Sequence, residues 1–90
     1  MIREYIDAAM HKAKYEMLEE DKTFYGEIPE CQGVWANNKT LEECRDELES
    51  VLEDWILVGV ALHHNLPVIG GIDINSYSKQ IEDYTEPLAA

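Results

Sequence analysis

The sequence predicts an α+β domain (α/β in the broad sense): an N-terminal helix, a three-stranded antiparallel meander, a long helix and a short terminal strand. Three observations carry this. Apolar residues recur at helical spacing over the first 13 positions. Three short β-prone runs follow, separated by polar and Pro/Gly breaks. Thr40–Leu41–Glu42–Glu43 then opens a long apolar stripe with a helix start signal.

Ile2, Tyr5, Ile6, Ala9, Met10 and Ala13 follow the i, i+3, i+4 rhythm of a one-faced helix, with Arg3, Glu4, Asp7, His11 and Lys12 on the other side. This face suits packing on a sheet. From Lys14 the period shortens toward two: Tyr15 and Met17 share one side, and Glu16 takes the other. Glu20–Asp21–Lys22 is a polar break, and Thr23 to Ile28 forms the second strand of a hairpin. There Phe24, Gly26 and Ile28 face one way, and Tyr25 and Glu27 the other. Gly26 marks a bulge or the close approach of a neighbouring helix.

Pro29 ends the strand, since it lacks an N–H and restrains the residue before it. Glu30–Cys31–Gln32–Gly33 reads as a turn, with Gly33 at positive φ. Val34–Trp35–Ala36 is the third strand and Asn37–Asn38–Lys39 a polar turn. Leu41, Cys44, Leu48, Val51, Leu52, Trp55, Val58, Gly59 and Leu62 line one face of the long helix, which Asn65 and Pro67 stop. Gly59 costs that helix about 1 kcal/mol relative to Ala, which implies a close contact there. Trp55 to Leu62 is apolar all round, so it is either enclosed on both sides or part of a subunit interface, and the interface is preferred. Leu66 to Ile74 is β-branched but broken by Gly70–Gly71, consistent with one or two short strands. The expected layout is one domain over 1–74 (helix 1–13, meander 14–37, helix 40–64, terminal strand region 66–74), then a mobile tail over 75–90.

At 90 residues, such a domain buries only about 60–65% of the surface its unfolded chain exposes, and self-association is a reasonable expectation. No apolar run is long enough to span a membrane, and the acidic N-terminus is unlike a signal peptide, so a soluble cytoplasmic protein is expected. Cys31 and Cys44 match no zinc or redox spacing and read as reduced, structural thiols. With 19 acidic against 7 basic residues, the net charge is −12. Phosphate backbones are repelled by such a chain. Surface acid ordinarily means solubility, and it also suits a basic protein partner steered in by the field.

Catalytic constellations do not emerge. His63 and His64 are adjacent and diverge by about 100° on a helix, so they read as helix-end residues favouring the negative terminus rather than metal ligands. Glu16 and Glu27 fall opposite the apolar side of their strands, and most helix acids lie off the apolar stripe. No phosphate loop, nucleophile elbow or Cys/His pair is present, so no enzyme activity, metal or cofactor is expected.

The run Ile28–Pro29–Glu30, Gly33 and Thr40–Leu41–Glu42–Glu43, with Trp55, Gly59 and Pro67 further on, resembles the HicB-like antitoxin family over about residues 14–70. Cys44 stands where that family usually has Ala. The resemblance implies a partial, degenerate ribonuclease-H-like fold. It also implies binding to a small basic HicA-type, mRNA-cleaving toxin, whose active face the antitoxin covers without chemistry of its own. Two departures stand out: nothing after Ile74 resembles a DNA-binding module, and the N-terminal helix lies outside the shared core. The residues expected at a partner or subunit interface are Glu16, Tyr25, Glu27, Glu30, Trp35, Trp55, Val58, Gly59 and Leu62. The alternative is a stand-alone oligomeric domain, structural or ligand-sensing, without a toxin partner.

Overall fold

A computed structural model describes residues 2–75. Its elements are α1 (Ile2–His11), β1 (Lys14–Leu18), β2 (Thr23–Glu27), β3 (Trp35–Asn38) and α2 (Leu41–Ala61). The strands form one antiparallel sheet in the order β1-β2-β3, as the hairpin signals predict. Helix α2 lies across β2 and β3, and α1 packs against α2. One core joins the layers, drawing Tyr5, Ile6, Ala9 and Met10 from α1 and Cys44, Leu48, Leu52 and Ile56 from α2.

Local chemistry explains most of the boundaries. Lys22 N–H donates to Leu18 O at 2.9 Å across the β1–β2 loop. Asp21 Oδ1 accepts from both the backbone and the hydroxyl of Thr23. The Pro29 corner is two linked tight turns: Cys31 N–H donates to Ile28 O, and Val34 N–H to Cys31 O. Gly33 has the expected positive φ of 93°. This winding turns Ile28, Cys31 and Val34 inward, all three buried. The corner is therefore a plug of the core rather than a surface loop.

Gly26 marks a close approach rather than a bulge. The β1–β2 pairing runs unbroken through five residue pairs. A Cβ on Gly26 would stand 2.8 Å from the Tyr15 ring and 3.2 Å from Cys44 Sγ. The missing side chain lets Tyr15 lie over its cross-strand partner and lets α2 settle on the sheet.

Helix α1 ends at His11, short of the expected residue 13, and packs on α2 where packing on the sheet was expected. Four further features differ from expectation. Strand β3 continues through Asn38, because side-chain amides replace the turn: Asn37 Nδ2 donates to Phe24 O at 2.9 Å and Asn38 Nδ2 to Glu47 Oε1 at 3.0 Å. Helix α2 starts as read, with Thr40 Oγ1 accepting from Glu43 N–H at 3.1 Å. It ends earlier, at Ala61, because His63 adopts φ 57°. His64 N–H then reaches Gly59 O, and His63 N–H reaches Val60 O. This is the paired closure of a Schellman end, with histidine where glycine is usual. His63 thus ends the helix through its backbone conformation, upstream of Asn65 and Pro67.

The third difference is in the terminal region, which is a tight turn instead of a strand: Ile69 and Ile72 exchange both backbone hydrogen bonds around Gly70 and Gly71, each at positive φ. Gly70 also sits against α1, where a Cβ would stand 2.9 Å from that of Ala8. Tyr5, fully buried, donates its hydroxyl to Pro67 O at 2.7 Å. Asn75, expected in a tail, clamps Leu66 from both sides, with Oδ1 accepting from Leu66 N–H and Nδ2 donating to Leu66 O, each at 2.8 Å. The rest of the expected tail lies outside the described residues.

The fourth difference concerns the buried stripe of α2. It runs Cys44, Leu48, Leu52, Ile56 and Gly59, while Val58 and Leu62 are 51% and 61% exposed. Steps of four residues advance the stripe by about 40° each on an α-helix. The core contact therefore slews from the sheet toward α1, leaving Val58 and Leu62 on the outside.

Candidate protein-binding surface

The pleat sends alternate residues to opposite sides of the sheet, and one side is taken by α2. The pairing register therefore defines what the other side displays. Lys14 pairs with Glu27 and Glu27 with Trp35, while Glu16 pairs with Tyr25 and Tyr25 with Asn37. These two rows form the outward face. Four of the sequence-predicted interface residues, Glu16, Tyr25, Glu27 and Trp35, meet on it.

At its centre Tyr25 and Trp35 stack, with ring centroids 6.1 Å apart and planes inclined by 24°. Such pairs contribute about 0.5–1.5 kcal/mol beyond their burial. Trp35 nonetheless remains 55% exposed, so a large apolar ring is held in place on the open side of the sheet. Tyr25 Oη donates to Glu27 Oε2 at 3.3 Å. Desolvation first, then the carboxylates of Glu27 and Glu16, push the Tyr25 phenol above its ordinary range. Asn37 ties the far end of the face down, donating to Thr23 Oγ1 as well as to Phe24 O. The result is a rigid aromatic platform framed by acids, with Lys14 at one margin.

The other predicted residues lie elsewhere. Glu30 is exposed on the Pro29 corner and lines a cleft with His11, Lys12 and Lys14. Trp55 is half-buried against the core. Val58 and Leu62 are exposed near the end of α2, together with Leu57 at 69%. Gly59 is not a surface residue: it is buried beneath Leu66, whose Cδ2 would be 2.7 Å from an added Cβ. A groove of about 400 Å³ runs between the helices, walled by Ile2, Ile6, Ile56, Leu57 and Val60 and rimmed by Glu53 and Asp54.

Sequence reading missed Asn37 and Lys14 as members of the outward face. Extending the alternation of β3 by one residue would have placed Asn37 there, but its polar neighbours resembled a turn. Both cysteines are free and fully buried. Burial pushes the Cys31 thiol up to about 11 and raises Cys44 as well, which makes them poor nucleophiles at neutral pH. Among the described residues, no three His, Cys, Asp or Glu side chains gather closely enough to hold a metal ion, and no helix is long and apolar enough to cross a membrane.

The UPF0150-like family profile matches residues 4–67, from the first turn of α1 to Pro67. The crystal structure of TTHA0281 from Thermus thermophilus is similar at a TM-score of 0.76 and 38% identity, covering 81% of this chain and 90% of that one. Among curated proteins none matches the chain.

Proposed function

The chain belongs to the UPF0150-like family, and from its motif resemblance to HicB-like antitoxins and its outward sheet face we propose that it is a HicB-like antitoxin. In this reading it neutralises a small basic, mRNA-cleaving toxin of the HicA type in the cytoplasm. The observation that carries it is the outward sheet face: an exposed, stacked Tyr25–Trp35 pair framed by Glu16 and Glu27. Aromatic anchors on a flat rigid surface are what interface hot spots are made of. The acids around them, on a chain of net charge −12, favour encounter with a cationic partner. A toxin that grips RNA needs a basic active face, and that face is complementary to this platform. Covering it excludes RNA by occlusion, and the antitoxin needs no catalytic group.

The test is co-expression with a small basic protein encoded beside this chain. Growth arrest by that protein is expected to be relieved, and the two are expected to co-purify. Trp35→Ala and Tyr25→Ala should each weaken the complex by about 2 kcal/mol or more, the range for hot-spot anchors. Unrelieved arrest, or a complex indifferent to both substitutions, would defeat the proposal.

A further inference from the structure

Strand β1 lies at the margin of the sheet, and among the described residues nothing pairs with its outer edge. Four of its five residues are exposed. Edge strands of this kind are usually blunted by proline, a bulge or charge. Here β1 contains no proline, and its register with β2 is continuous. Charge is present, but in a self-complementary order. Lys14 opens the strand and Glu16 sits at its centre, with His11 and Lys12 before it in the chain and Glu19 and Glu20 after it. Two such edges laid antiparallel can place Lys14 of each beside Glu16 of the other.

We propose that β1 pairs with β1 of a second copy of this chain about a two-fold axis, with Tyr15 opposite Tyr15 and Lys14 opposite Glu16 twice, joining two sheets into one of six strands. The register follows from sidedness and charge. A continuous sheet with its helices on one side requires opposed residues to share a face, so the axis passes through a residue position. Centring on Glu16 would oppose two carboxylates, and centring on Met17 leaves Lys14 without an acid opposite it within the strand. Within the strand, only the Tyr15 centre joins unlike charges, and directly opposed unlike charges are the favourable cross-strand arrangement. Apolar surface supports the same edge: Tyr15 and Met17, on the helix side, remain 37% and 48% exposed at the margin of the core. The arrangement leaves the Tyr25–Trp35 pair uncovered but shares Lys14 and Glu16 with the face around it; tested on the chain without any partner, its failure is distinguishable from that of the antitoxin proposal.

Sedimentation equilibrium of the full chain without any partner tests it. A dimer is expected. Lys14→Glu and Glu16→Lys should each raise its Kd about tenfold or more, and the double exchange, K14E/E16K, should restore it. Because Cys31 and Cys44 are buried, a thiol placed at the edge reports pairing directly. Tyr15→Cys should cross-link to a disulfide dimer faster than Glu16→Cys, and this comparison carries the register if a charge variant misfolds by circular dichroism. A wild-type monomer at the highest soluble concentration would overturn the proposal, as would a dimer indifferent to the exchange. Preferential cross-linking through Glu16→Cys would overturn the register. A strand of the toxin seated on β1 instead would appear as a monomer alone and a complex sensitive to the same reversals.

Discussion

Gly59→Ala sets two known effects against each other at one carbon. Within α2 the substitution should help, since alanine is favoured over glycine in a helix by about 1 kcal/mol. The new Cβ, however, would stand 2.7 Å from Leu66 Cδ2 and 3.4 Å from Leu66 Cδ1 and Cγ, against a comfortable carbon separation of about 3.5–4.0 Å. A free leucine would swing away. Leu66 is buried, with its N–H and C=O both held by Asn75 at 2.8 Å, so its backbone is held and its side chain can retreat only by changing rotamer within the packed core. Overpacking of this kind costs about 1–3 kcal/mol. Subtracting the helical gain leaves a net loss of about 1 kcal/mol, or about 4–8 °C in Tm for a domain of this size. Thermal and urea unfolding followed by circular dichroism measure it. In a cycle with Leu66→Val, which removes the δ carbons, the helical gain should reappear as a coupling of about 1 kcal/mol or more. A Gly59→Ala protein as stable as its parent, or an additive cycle, would refute the reasoning.

Further expectations follow from the same contacts. His63→Gly should stabilise the protein by about 0.5–1 kcal/mol, because it relieves a left-handed residue at the end of α2, whereas His63→Val should lower the urea midpoint. Thr40→Ala should cost about 1 kcal/mol through loss of the bond to Glu43 N–H, read as the same midpoint shift. Alkaline pH should destabilise the fold. Burial holds the Cys31 thiol protonated up to about 11 and the Tyr5 phenol up to about 12. The unfolded chain releases these protons at the ordinary values of 9.0 and 10.0. The folded form therefore binds more protons above about pH 9, and stability falls as pH rises from there to about 12. Tyr5→Phe should flatten the upper part of that decline while lowering stability at neutral pH through loss of the bond to Pro67 O.

Much of the fold was legible because its signals are local. The periodicity of Ile2 to Met10, the strand of Thr23 to Glu27, the positive φ of Gly33 and the Thr40 cap each depend on neighbours within a few residues. Where expectation and structure part, the deciding partner is distant in the chain. Asn37 reads as a turn residue until its amide is seen bonding across to Phe24. Asn75 reads as tail until it grips Leu66. Val58 and Leu62 belong to the apolar stripe by spacing, yet α1 draws the buried contact toward Ile56 instead.

The candidate surface divides the same way. Alternation along β2 is enough to set Tyr25 and Glu27 apart from the core side, since the pleat has a period of two and one slip would invert it. That Trp35 stacks on Tyr25 from the neighbouring strand, with Glu16 beside them, is a matter of register between strands, which no local pattern encodes. The Gly59–Leu66 contact and the exposed edge of β1 are likewise products of assembly. Sequence by itself determined the elements, their order and the acidic charge, because propensity, capping and periodicity act over a few residues. Tertiary structure alone decided which apolar residues the two helices cover and which acids and rings share a face, because those outcomes depend on packing between segments far apart in the chain.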